Sequence, residues 1–213
     1  MPLIYGGLDI SKTCTGWGIV GPGQKEAGAW RCPVKAPFHL KRGAIDAGYA
    51  GDVADWYSRQ VASWLAVYKP NMVAIEQPMP GNSGRTKTEV DTSSEWAGQA
   101  VKKVKVGGTS FDVTHFLHGL AMEAARLCRA RNIEVVYVAS QTWRGKEGLG
   151  IGTPPKGVDD RTAWYKKQAK LYAKADGLEL SSGDAAEGFC IATYLRNQRE
   201  QPHGLFPGLP AVG

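Results

Sequence analysis

The apolar and polar positions begin with a β-like alternation. Residues 3–10 read as a strand broken at its end by Asp9; a Ser11-Lys12-Thr13 turn follows, and residues 16–20 form a second short apolar run. A third run over residues 27–34 completes an antiparallel three-stranded start. Residues 35–50, punctuated by Pro37, Gly43 and Gly48, fit no single period. From Asp52 the spacing turns helical, with Val53, Trp56, Tyr57, Val61, Trp64, Leu65 and Tyr68 recurring at three- and four-residue steps up to Pro70. Residues 72–75 then form a short apolar strand closed by Glu76, a second carboxylate at a strand end.

Residues 77–114 change character. Their first part is rich in turn formers and reads as a loop, and their second, VKKVKV followed by GGTSFDV, reads as a hairpin. Residues 115–130 predict a helix with Phe116, Leu117, Leu120, Ala121, Ala124, Leu127 and Cys128 on its apolar side. The β-branched run 133–138 predicts an inner strand, so that strand, helix and strand make a βαβ crossover. A Gly/Pro-rich loop over residues 140–157 places Trp143, like Trp96 earlier, outside regular structure. Asp159 or Asp160 caps a helix to about residue 175 whose basic face carries Arg161, Lys166, Lys167, Lys170 and Lys174. Ser181 or Ser182 caps the last helix, and residues 201–213 form a loose Pro/Gly-rich tail. The sum is an α/β fold: a mixed five-stranded sheet, three antiparallel then two parallel strands, with helices on both faces, in one domain over residues 1–200.

Composition narrows the partners. The 213 residues are 43% hydrophobic, enough for a sizeable core, and carry a net charge of +6 on an ordinary 22% charged content, which favours a polyanion. Cys14, Cys32, Cys128 and Cys190 have no metal-site spacing and read as reduced thiols. No apolar run reaches the roughly 20 residues of a membrane span, and no secretory leader is evident, so the expected compartment is a reducing cytoplasm with no membrane partner.

Four carboxylates stand at element ends. Asp9 and Glu76 close strands; Asp184 and Glu187, three apart in the last helix, share one face, and their Ala, Gly and apolar neighbours turn that face toward the sheet. A lone Asp9 reads equally as a solvated turn former, and Asp184 as a dipole-favoured first-turn acid. Together, four oxygen donors without His or Cys partners suit Mg²⁺, or Mn²⁺ in its place, rather than zinc; two such ions can activate water for phosphodiester hydrolysis. His115 and His118 form an HxxH with no third ligand nearby and read as ordinary helix residues.

The ordered set LDISKTCTGWGIV, VAIEQP, HGLAMEAARL, IEVVYVASQTWR, the KKQAK helix and DAAEGFCIA resembles the RuvC family of Holliday-junction resolvases, of the RNase H and retroviral-integrase superfamily, over most of residues 3–197. The resemblance implies an RNase H-like fold, a two-ion site on Asp9, Glu76, Asp184 and Glu187, and a phosphate-supporting lysine at Lys167. It implies a homodimer that nicks a four-way DNA junction symmetrically. Nucleic-acid contacts would then fall to Lys12, Thr13, Arg85, Lys87, Trp96, Lys102, Lys103, Lys105, Arg144, Lys146, Lys156, Arg161, Lys166 and Lys170, with residues 77–114 a basic substrate-contacting insertion. Glu187 stands where the family usually has Asp, and the segment after Glu76 is longer than in the bacterial type. A nuclease for RNA–DNA hybrids or flaps, and a non-catalytic branched-DNA binder, are the competing readings.

Overall fold

The computed structural model describes residues 2–37, 45–78, 85–91, 100–106 and 111–200. Strands β1 (Tyr5–Asp9), β2 (Cys14–Gly21) and β3 (Gln24–Arg31) pair antiparallel; β4 (Met72–Glu76) and β7 (Glu134–Val138) extend the sheet in parallel, in the order β3-β2-β1-β4-β7. This is the arrangement that the hydrophobic pattern predicts. Helices α1 (Ala47–Tyr68) and α2 (Phe111–Arg129) cover one face; α4 (Arg161–Ala175) and α5 (Gly183–Glu200) cover the other, and the short α3 (Ser140–Arg144) follows β7.

Strand parity sorts the core. In β1, Tyr5, Gly7 and Asp9 face α5, while Gly6 and Leu8 face α1; in β4, Met72, Ala74 and Glu76 face α5, while Val73 and Ile75 face α1. The α1 side holds Leu8, Ile19, Tyr57, Val61, Trp64, Ile75, Leu120 and Ala124, and the α5 side Tyr5, Ala74, Trp143, Ala169, Cys190 and Ile191. Helix α5 is buried all round from Ala185 to Thr193 because the sheet takes one side and α4 the other. No helix among the described residues is long and apolar enough to cross a membrane, and all four cysteines are free.

Four local expectations are corrected. α1 starts at Ala47 rather than Asp52: Asp46 caps it by accepting from the Tyr49 amide at 2.7 Å, a signal masked by Gly48 and Gly51 in its first turns. VKKVKV lies in β6 (Ala100–Val106), which pairs with β5 (Arg85–Asp91), where a loop is expected. Phe111 to Val113 instead begin α2, four residues early. Trp143 is fully buried in α3, not in a loop, because β7 delivers it beneath α5. The apolar side of α2 turns Leu120, Ala121, Ala124 and Cys128 into the core, as a crossover helix should, and leaves Phe111 and Met122 exposed. Trp96 and the tail 201–213 lie outside the described residues.

The sheet and α5 meet backbone to backbone. A Cβ on Gly188 would strike the Trp17 backbone, one on Gly18 the Phe189 backbone, and one on Gly16 the Asp184 carbonyl. Gly188→Ala should therefore lower unfolding free energy by about 1–3 kcal/mol, as overpacking does. Gly119→Ala, on the exposed side of α2 with nothing near its Cβ, should raise it by up to about 1 kcal/mol through helix propensity. Urea titration of both variants checks the contrast.

Candidate metal and phosphate site

The strand register brings the acids together. Asp9 lies opposite Gly16 across the β1–β2 pair, and the missing side chain of Gly16 is the space into which the first turn of α5 fits. Ser182 holds that turn by accepting from the Ala185 amide at 3.3 Å. Asp184 thereby arrives beside Asp9, and the three-residue helical step brings Glu187 in from the same side. Ligand oxygens of Asp9, Asp184 and Glu187 all lie within 4.8 Å of one another. The parallel β1–β4 register runs Leu8 with Ile75, so Asp9 and Glu76 stand one step further on at neighbouring strand ends. Glu76 is at the edge of this cluster: its Oε2 accepts from the Trp143 indole Nε1 at 2.8 Å.

Two cations enter the cluster from the other side. Arg144 Nη2 donates to Glu187 Oε1 at 2.6 Å and lies 3.8 Å from Glu76 Oε2, with its guanidinium between the rings of Trp143 and Tyr165, 4.5 and 4.6 Å from their centroids. Lys166 Nζ donates to Asp184 Oδ1 at 2.6 Å. Burial raises the Asp9 carboxyl well above its ordinary value, the charges of Glu76 and Glu187 raise it further, and Arg144 only partly offsets them. Burial likewise raises Glu187 against the pull of Arg144. Lys166 loses some charge preference to burial, but its bond to Asp184 and the nearby carboxylates outweigh this and raise its pKa. Asp9, Asp184, Glu187, Arg144 and Lys166 line an open cleft of about 480 Å³, together with Thr13, Arg31, Thr162 and Tyr165.

The remaining expected contacts scatter. Thr13 lines the cleft, whereas Lys12 turns away to the Tyr49 ring, 5.8 Å from its centroid. Lys167 is exposed on α4, and its neighbour Lys166 is the one that reaches the acids. Lys170 donates to the Ser181 carbonyl at 3.3 Å, while Lys146, Lys156 and Arg161 are exposed outside the cleft lining. Arg85, Lys87, Lys102, Lys103 and Lys105 belong to the β5–β6 hairpin. His118 bonds the Thr114 carbonyl at 2.8 Å within its own helix.

Sequence reasoning places Arg144 among surface contacts and misses Trp143, Tyr165 and Arg31. A signal for the first two exists: β7 runs parallel to β4, so whatever follows Val138 must emerge at the rim that carries Asp9 and Glu76. Tyr165 and Arg31 carry no comparable signal, since only tertiary packing brings α4 and the end of β3 to that rim.

Three carboxylates with converging oxygens, among them Asp9 and Glu187 with raised proton affinity, form a donor set that fits a hard divalent cation. No protein-family model matches the chain, and no curated protein matches it in sequence. Among solved structures, the chain is similar in fold to T. thermophilus RuvC in complex with Holliday junction substrate, at 12% identity and a TM-score of 0.56, covering 92% of this chain and 95% of that one. It is similar also to a Thermus thermophilus RuvC structure at 14% identity and a TM-score of 0.53, covering 92% and 96%. The shared fold is the RNase H-like mixed sheet with helices on both faces.

The electrostatics carry a sign that can be measured. Raised folded-state carboxyls bind protons more readily than the unfolded chain does, so their contribution to stability is full below the unfolded carboxylate value and is lost as pH rises through the folded one. With chelator present, unfolding free energy from urea titration should therefore decline as pH rises above the ordinary carboxylate value of about 4, and Asp9→Asn should flatten that decline.

Proposed function

We propose that this protein is a divalent-metal-dependent endonuclease, and that its substrate is branched DNA, specifically the four-way junction, nicked on two opposed strands by a homodimer. The observation that carries the reading is the convergence of Asp9, Asp184 and Glu187 within 4.8 Å at the floor of an open cleft whose walls supply Arg144 and Lys166. The fold shared with RuvC structures supports the same chemistry, and one of those proteins binds a Holliday junction. The net charge of +6 suits a polyanionic partner.

Asp9, Asp184 and Glu187 would hold the cations, Mg²⁺ or Mn²⁺, with Glu76 completing a pair of sites. When bound, such ions supply Lewis-acid activation of water and stabilisation of the leaving oxygen. Water adds to phosphorus as the P–O3′ bond breaks, which leaves 5′-phosphate and 3′-hydroxyl ends. Lys166 takes the phosphate-facing role that the KKQ motif puts on Lys167, because Lys166 lines the cleft and Lys167 is exposed outside it. Thr13 and Arg31, which also line the cleft, hold the flanking backbone through phosphate contacts that carry no base sequence. Two copies of the chain match the approximate two-fold symmetry of a junction.

Asp9→Asn, Asp184→Asn and Glu187→Gln should each reduce cleavage of a mobile four-way junction at least about a hundredfold while junction binding persists. Rates on the junction, a flap, an RNA–DNA hybrid and a plain duplex, measured side by side with Mg²⁺, test the substrate. Preference for the hybrid or the flap would replace the junction reading, and cleavage of none of them would remove the enzyme.

A further inference from the structure

The two basic side chains nearest the acids are already engaged inside the protein. Glu187, whose side chain is only 5% exposed, is held by Arg144, and Asp184 is held by Lys166, each at 2.6 Å. Breaking such a bond and leaving the carboxylate bare is costly in a buried setting. A cation that takes these oxygens must therefore replace the charge that it displaces. Asp9 makes no salt bridge among the described residues, so it is the open acceptor at which a cation can first bind. Charge balance allows the exchange: four ionised carboxylates against one guanidinium and one ammonium leave two net negative charges, which a first divalent cation neutralises, and a second replaces the two charges that leave with Arg144 and Lys166.

The surroundings of Arg144 suit movement. Its guanidinium lies between two aromatic rings, and its Nε is buried without a hydrogen-bond partner, so the side chain is held by stacking and by Glu187 rather than by a fixed fork of donors. Sliding off Glu187 keeps the cation–π support of Trp143 and Tyr165. Lys166 is adjacent to Tyr165 on α4, with its side chain a third exposed, and its ammonium can swing from Asp184 into the cleft.

We propose that Arg144 and Lys166 are exchangeable counter-ions: a divalent cation displaces them from Glu187 and Asp184, and the released guanidinium and ammonium become the cleft's ligands for a nucleic-acid phosphate. The inference rests on the reading of this cleft as a metal-dependent phosphodiester site. Metal and phosphate binding are then coupled, each strengthening the other by the same factor. Removing an internal cation has opposite effects on the two ligands, since it frees a carboxylate for metal and deletes a contact for phosphate. An arginine or lysine that merely braced the acids would weaken both when removed.

The test uses the full chain, Arg144→Gln and Lys166→Gln, with Mn²⁺ alone titrated calorimetrically and a labelled four-way DNA junction titrated in Ca²⁺ and in chelator. The wild type should bind the junction more tightly in Ca²⁺ than in chelator. Each variant should bind Mn²⁺ roughly fivefold or more tighter than the wild type and lose most of the Ca²⁺-dependent gain in junction affinity. If Arg144→Gln does not fold, Lys166→Gln, at the cleft rim, decides alone. Mn²⁺ affinity that is unchanged or weaker in the folded variants overturns the exchange while leaving the metal site in place. A wild-type chain that binds no Mn²⁺ overturns the underlying functional reading, and the exchange with it.

Discussion

The contact between α5 and the first hairpin is the constraint on which the rest of the structure depends. Gly7, Gly16 and Gly18 on the strands and Gly188 on the helix remove every Cβ that would keep the two backbones apart. The result is not just dense packing. Asp9 sits opposite Gly16, and the carbonyl of Asp184 occupies the space that a Gly16 side chain would fill, so the same close approach that builds the core sets two acids side by side. A larger residue at Gly16 would move the first turn of α5 and separate Asp184 and Glu187 from Asp9 together.

That closeness creates an electrostatic tension which hydrophobic packing sustains. Burial and mutual repulsion raise the carboxyls of Asp9 and Glu187, an arrangement that costs stability at neutral pH. Around it, buried apolar clusters fill both faces of the sheet, from Trp64 and Leu65 in α1 to Phe189 and Ile191 in α5. Local strain of this kind persists only where the surroundings over-determine it, and it concentrates at functional sites. Arg144 and Lys166 reduce the tension without abolishing it, since Asp9 keeps its raised carboxyl in their presence.

Much of this was legible in the chain, and the rest was not for definite reasons. Asp9 and Glu76 could be read from strand ends because period-two parity fixes which face a residue takes; Asp184 and Glu187 could be read from the three-residue helical step. The three antiparallel and two parallel strands followed from two turns and one crossover, but the pairing of β4 with β1 is set only by tertiary packing. Rotation about the α4 axis could not be read, because Lys166 and Lys167 lie at the two edges of the basic face, each next to the broad apolar side, and the helix buries only Ala169 and Ala173. Nothing in its pattern distinguishes Lys166 from Lys167. The partner of VKKVKV was obscured because RTKTEVD is polar and β-branched by turns, which suits a strand only when another strand is beside it. Trp143 and Arg144 were hidden by a Gly/Pro-rich neighbourhood that reads as loop. Position after a parallel strand, not composition, marks them as belonging to the rim.

The converging carboxylates act either as a cation site or as a self-neutralised cluster of ion pairs. Anomalous scattering from a crystal of the full chain grown with Mn²⁺ tests this most directly. It should show manganese coordinated by Asp9, Asp184 and Glu187, with Arg144 and Lys166 moved away from their carboxylates. Crystals with no manganese peak in the cleft, and with the Arg144–Glu187 and Lys166–Asp184 bonds intact at saturating Mn²⁺, would contradict it.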